Sequence, residues 1–164
     1  RQACPMADQP KPRAAADDRL AKMVTTDWFR AVAPKVIPRM HRAMRILSRG
    51  KFVPGAGLIL TTVGAKSGKR RETPLEAVPC PDGTWVIVGS NFAQAHHPAW
   101  TTNLIANPDA DVLIRGRTMR VRADLLAGDE RAEAWQLALA HFGGWQAYTE
   151  ITDRAFRIFR LTPA

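Results

Sequence analysis

The apolar positions of this chain change rhythm as it proceeds. Residues 1–16, RQACPMADQPKPRAAA, carry no period and are rich in Pro and Ala, the pattern of a disordered N-terminal arm. From Asp17 onward Leu20, Met23, Val24, Phe29 and Val32 recur near helical spacing, with Asp17 or Asp18 placed to cap the first turn. Pro34 and Pro38 interrupt that pattern, and a second amphipathic run, Met40 to Arg49, ends at Gly50. Beyond it the rhythm becomes that of strands: Leu58–Val63, Thr73–Val78, Thr84–Ser90, Asp111–Ile114, Met119–Leu126 and a terminal Phe156–Leu161. Pro81-Asp82-Gly83 and Arg115-Gly116-Arg117 supply hairpin turns. Pro98 and Asn107-Pro108 bracket a short helix, Arg131–Phe142 reads as a longer one ended by Gly143-Gly144, and Trp145–Ile151 as one or two last turns. Short-turned antiparallel strands with helices at the start, in one crossover and near the end predict a mainly β protein with α, a small barrel or half-barrel with peripheral helices. The predicted organisation is an arm over 1–16, a basic amphipathic helical region over 17–52, and the barrel over 53–164.

Composition narrows the partners. A chain of 164 residues with 46% hydrophobic content is one globular domain by length, and its formal charge is +9. That sign favours nucleic acid, anionic lipid, or phosphorylated and polycarboxylate ligands. The strands carry no platform of aromatics on which bases could stack, so nucleic acid is set aside. Lys35, Arg39, Arg42, Arg45, Arg49 and Lys51 lie among apolar positions. Such a region either lies on an anionic membrane surface or packs on its own barrel with its basic face in water. No run approaches the ~18 apolar residues of a membrane-spanning helix, and no charged segment followed by an apolar one marks a secretory leader. The expectation is a cytoplasmic protein, with peripheral attachment to the inner face of the cell membrane left open. Cys4 and Cys80 define neither a disulfide framework nor a metal spacing, and His96-His97, with only His41 and His141 elsewhere, make no ligand set. No metal is expected.

The densest chemistry lies in Leu58–Leu75, LILTTVGAKSGKRRETPL. A strand breaks at Gly64 into a loop carrying Lys66, Ser67, Gly68, Lys69, Arg70 and Arg71. Glycine lets backbone amides approach an anion closely, and Lys and Arg supply charge and forked donors. From these residues alone the loop is either an anion site or a solvated basic hairpin.

Four blocks in order decide between those options: TTVGAKSGKRRETPL, VIVGSN, HPAWTTNLIANP and WQAYTEITDR before a closing apolar strand. Together they resemble the deazaflavin-dependent nitroreductase and F420H2-dependent quinone reductase family. The resemblance runs from about Pro54 to Pro163. It implies a split β-barrel of the FMN-binding-protein type and use of the reduced 5-deazaflavin coenzyme F420. By resemblance, the cofactor's phosphate and oligoglutamate tail fall to Lys66, Ser67, Gly68 and Arg71, with Lys69, Arg70 and Pro74 beside them. Val88, Gly89, Ser90 and Asn91 run along the deazaflavin ring, Ser90 facing the site of hydride transfer. Trp100 and Asn103, three apart on a helix, contact the cofactor from one face. Trp145, Tyr148 and Ile151 line the substrate pocket, and Tyr148, the single tyrosine of the chain, closes over the substrate or donates a proton. Ala65 stands where many members carry Arg, Arg70 where many carry Pro, Asn91 where Lys is common, and Ile151 where a tyrosine is common.

A deazaflavin transfers hydride, so the protein needs to hold C5 close to an electron-poor acceptor and supply a proton. Quinones, nitroaromatics and activated enones are suitable small-molecule acceptors. The function implied is a reductase using reduced F420. The alternative is a non-catalytic split-barrel binder of lipid or another small ligand. FMN is the rival cofactor, but a long cationic loop exceeds what one phosphate needs and suits a tail of several carboxylates. A monomer and a homodimer both remain open.

Overall fold

The computed structural model describes residues 57–164 continuously and, before them, Thr26, Trp28, Val32, Val36, Arg39 and Met40. The predicted arm lies outside the described residues, as does most of the basic amphipathic region.

Among the described residues seven strands form one antiparallel sheet: β1 Leu58–Val63, β2 Arg70–Leu75, β3 Ala77–Pro79, β4 Trp85–Gly89, β5 Asp109–Ile114, β6 Arg117–Leu125 and β7 Arg157–Pro163. The spatial order is β2-β1-β5-β6-β7-β4-β3. The two edge strands, β2 and β3, are therefore separated in the chain by Glu76 alone. Opposite edges joined by one residue require the sheet to curl on itself, and a Cβ on Gly57, just before β1, would lie 2.9 Å from the Ala77 N of β3. This is the split barrel expected from the sequence blocks. It corrects one element: the single strand expected over Thr73–Val78 is two, because Leu75 pairs with Leu58 of β1 whereas Ala77 pairs with Ile87 of β4. At that corner Glu76 Oε1 lies 2.8 Å from His141 Nε2.

Within residues 57–164 three helices follow the expected order: α1 Ala99–Ala106, α2 Gly128–His141 and α3 Gly144–Thr149. The alternation of strand residues builds two cores. Leu58 and Leu60 of β1, Ile87, Val112, Val121, Phe159 and Leu161 fill the barrel and are capped by Trp100 and Leu104 of α1. On the other face of β3, β4 and β7, Val78, Val86, Val88 and Ile158 pack against Ala134, Leu137 and Ala138 of α2 and Trp145 and Tyr148 of α3. Cys80 belongs to that second core, buried and free, as a small apolar residue. No helix among the described residues is long and apolar enough to cross a membrane.

Candidate active site

The β1–β2 hairpin is closed by its own backbone. Gly64 N–H donates to Lys69 O at 2.9 Å, Gly68 N–H donates to Gly64 O at 2.8 Å, and Gly68 takes the left-handed conformation, φ +64°. A Cβ on Gly64 would sit 2.6 Å from Ser67 Oγ and 3.2 Å from Lys69 O, so a side chain there would crowd the turn. One side chain holds the loop to the barrel. Asn103, on α1 and only 8% exposed, accepts from Ala65 N–H through Oδ1 at 3.0 Å and donates from Nδ2 to Thr62 Oγ1 at 3.0 Å. The sequence placed Asn103 on the cofactor; the structure places it beneath the loop, with oxygen and nitrogen both engaged by protein.

The cations divide between the faces of the hairpin. Arg71 is the register partner of Thr62 and shares the face that looks toward Asn103. Arg70 and Pro74, partners of Val63 and Ile59, lie on the opposite face. There Arg70 forms an ion pair with Asp111, which Arg120 also approaches at 3.5 Å. Lys66, Lys69 and Arg71 have no carboxylate partner among the described residues, and the N–H groups of Lys66 and Ser67 have no intramolecular acceptor there. Exposed N–H donors ringed by three free cations fit a phosphate and a chain of carboxylates. Arg70 and Pro74 are turned away from that set.

The second block ends β4. Val88 and Gly89 are buried, and a Cβ on Gly89 would lie 2.8 Å from Thr101 Cγ2 of α1 and 3.2 Å from Arg157 O. Glycine is what allows α1 to lie against the strand end. Three consecutive non-glycine residues then adopt positive φ, Asn91 at 49°, Phe92 at 52° and Ala93 at 57°. Such residues cost roughly 1 kcal/mol or more each and persist where surrounding contacts hold them. The contacts come from Arg154. Its Nη2 donates to Ser90 O at 2.6 Å, Nη1 to Gly89 O at 3.2 Å and to His97 Nδ1 at 2.9 Å, and Nε to Gln94 O at 2.9 Å. The guanidinium also lies 5.0 Å from the centre of the Phe156 ring. Four of its five N–H donors are thus used on one turn. Burial, with Arg157 nearby, lowers the Arg154 pKa, and burial followed by the Arg157 and Arg154 charges lowers that of His97. A neutral His97 is the form whose Nδ1 can accept. Arg154 was missed in the sequence, where it reads as one more cation; its position in the fourth block, three residues past Ile151, was the available signal.

Within this turn Asn91 donates from Nδ2 to His96 O at 3.0 Å, and the Ser90 hydroxyl has no partner among the described residues. The aromatic residues lie deeper than the sequence suggested. Trp100 is 5% exposed in the barrel core, its ring 5.7 Å from that of Phe159. Trp145 and Tyr148 are each 4% exposed within the second core, and only Ile151 is half-buried at its edge. Helix α3 packs against the Asn91–Ala93 turn, so these residues support the strand end from behind. The structure thus brings together the Lys66–Lys69 loop, Arg71, Asn103, Gly89 and Ser90 through α1, and keeps Arg70, Pro74, Trp145 and Tyr148 off that surface.

A split barrel with a free cationic hairpin beside a braced strand end defines a class of proteins suited to a polyanionic ligand. Residues 36–163 match the family described as F420H(2)-dependent quinone reductase. The F420H(2)-dependent quinone reductase Rv1261c of Mycobacterium tuberculosis is 31% identical over 143 residues, covering 82% of this chain and 95% of that protein. Among solved structures, an F420-H2 dependent reductase, FDR-A, superposes with a TM-score of 0.59 at 34% identity over 64% of this chain and 92% of its own. A second, described as a domain-swapped dimer, gives 0.61 at 32% identity over 79% and 99%. The chain belongs to the F420H(2)-dependent quinone reductases. It is an oxidoreductase whose cofactor is coenzyme F420 and whose reaction is hydride transfer from F420H2 to a quinone-type acceptor.

Proposed function

We propose that Lys66, Ser67, Lys69 and Arg71 hold the phosphate and carboxylate tail of F420, and that the deazaflavin ring lies along Val88–Asn91 with Ser90 at the reacting edge. The observation that carries this reading is the pair of unpartnered N–H groups, Lys66 and Ser67, among three cations free of carboxylates while Arg70 is neutralised by Asp111. When bound, the reduced deazaflavin supplies the hydride. The protein's part is positional. Asn103 holds the loop, Arg154 holds the carbonyls of Gly89 and Ser90, and the Ser90 hydroxyl is available to donate to a developing oxyanion on the acceptor. Tyr148 serves as packing under the turn in this reading, and proton delivery falls to Ser90 or solvent.

Titration of the purified protein with oxidised F420, beside FMN, tests the assignment. Binding of F420 that weakens at least ~10-fold in Lys66→Ala/Lys69→Ala and falls with salt is expected from loss of two charge-assisted contacts. Equal affinity for FMN, or no loss in that variant, refutes it.

Two finer readings belong with this function. Exposed Trp28 (71%), Val36 (48%) and Met40 (45%), in the same part of the sequence as Lys35 and Arg39, support meeting membrane-soluble acceptors at an anionic lipid surface, tested by sedimentation with anionic and neutral vesicles. The 32%-identical domain-swapped dimer supports a homodimer, tested by light scattering. Nitroaromatics and activated enones are further acceptors for the turnover screen.

A further inference from the structure

Arg154 also lines a pocket of about 260 Å³ between α2 and the segment that leads into β7. Its walls include Arg131 and Trp135 of α2 together with Thr152, Asp153, Arg154 and Phe156. Charge and shape both point to a type of ligand. Neither Arg131 nor Arg154 has a carboxylate within ion-pair distance among the described residues, so two arginines line the pocket against the single carboxylate of Asp153. Arg131 spends one donor, Nη2, on Phe156 O at 3.2 Å and keeps the rest of its fork. Arg154 has one N–H left after its four bonds to the turn. Trp135 is half-buried and meets Phe156 edge-on at 6.0 Å, which leaves indole surface toward the opening. An aromatic wall beside a forked cation suits a flat ring that carries negative charge on its edge. The volume matches one or two fused rings and no larger ligand.

We infer that this pocket binds a planar aromatic anion, the ring lying on Trp135 and the acidic edge on Arg131, one guanidinium away from the Ser90 strand end. An ionised hydroxynaphthoquinone has that chemistry. Ser90 and the Val88–Asn91 strand end are not among the pocket walls, so the ring is the ligand of a second site and not the hydride acceptor, and the inference goes beyond the reductase reading without resting on it. Neutral quinones of the same size would gain the stacking and lose the charge.

The test uses the full chain without cofactor and two matched probes, 2-hydroxy-1,4-naphthoquinone, ionised at neutral pH, and neutral 2-methyl-1,4-naphthoquinone. Calorimetric titration is expected to show the anion binding at least ~10-fold tighter, the worth of one charged hydrogen bond. Arg131→Gln should abolish that preference, and Arg131→Lys, which keeps the charge and guards against a folding artefact, should retain part of it. Equal affinities for the two probes, or a preference unchanged in folded R131Q, overturns the proposal. Because no F420 is present, the outcome is separate from that of the cofactor titration: F420 binding without anion binding defeats the pocket alone, and anion binding without F420 binding defeats the cofactor assignment alone.

Discussion

Replacing Arg154 by Met keeps an unbranched apolar side chain of similar reach and removes the guanidinium, together with its contact with the Phe156 ring. Four hydrogen bonds go with it, to the carbonyls of Gly89, Ser90 and Gln94 and to His97 Nδ1. A bond from a charged donor is worth about 1.5–3 kcal/mol where the acceptor stays dry, but these groups lie in a half-buried turn where water replaces part of the loss. Discounting accordingly gives about 2–4 kcal/mol of stability, a fall in Tm of roughly 6–12 °C for a domain of this size. The left-handed run from Asn91 to Ala93 then loses what holds it, and Ser90 moves with it. A displacement near 1 Å at a reacting centre costs roughly 100-fold in kcat. F420 affinity should change only a few-fold, because Asn103 anchors the tail loop independently. Thermal melting, F420 titration and steady-state reduction of a soluble naphthoquinone measure the three effects. Arg154→Lys should recover less than half of each, since an ammonium cannot span carbonyls on both sides of the turn. A Tm within 2 °C of the parent with kcat intact would mean that the turn holds itself, and the positioning role would be gone.

Other outcomes follow from single contacts. Asn103→Leu strands Ala65 N–H and Thr62, and should weaken F420 binding ~10-fold and lower stability by about 1–3 kcal/mol, with kcat at saturating cofactor unchanged; F420 titration with chemical denaturation reads both. Gly89→Ala places a Cβ 2.8 Å from Thr101 Cγ2, so a loss of about 1–3 kcal/mol is expected, and Thr101→Ser in the same chain should restore part of it. His97 titrates below its usual value in the fold, so it favours the neutral form there. Its contribution to stability is complete above the unfolded value near 6.5 and is lost as pH falls toward the lower folded pKa. Protonation would also set an N–H against the Arg154 donor. Melting temperature should therefore drop on acidification below about pH 6.5, and His97→Gln should flatten that part of the profile.

Strand β1, the Pro81–Gly83 turn and the helix between Pro98 and Asn107 were readable because each is written locally, in β-branched runs, turn residues and helix stops. The break at Glu76 was not, because nothing in Thr73–Val78 says that its two halves pair with strands on opposite edges of the sheet. The cationic loop was legible as chemistry; the division of Arg70 from Arg71 needed the register. Trp145 and Tyr148 do share a helix face, as their spacing implies, but spacing cannot say whether that face meets a ligand or a second core. Arg154 looked like any basic residue because its partners, three main-chain carbonyls and His97, lie 57 to 65 positions away.

Helix α1 touches the hairpin loop through Asn103 and the end of β4 through Thr101. Thr101 and Asn103 lie two residues apart, about 3 Å along the helix axis, so this one stretch of helix fixes the hairpin loop and the end of β4 relative to each other. A relative could lengthen the 65–68 tip without shifting the end of β4. Deleting Thr102 would swing Asn103 by about 100° relative to Thr101 and away from Ala65. Insertions and deletions in such reductases should accordingly collect at the hairpin tip and be absent from the interval between Thr101 and Asn103.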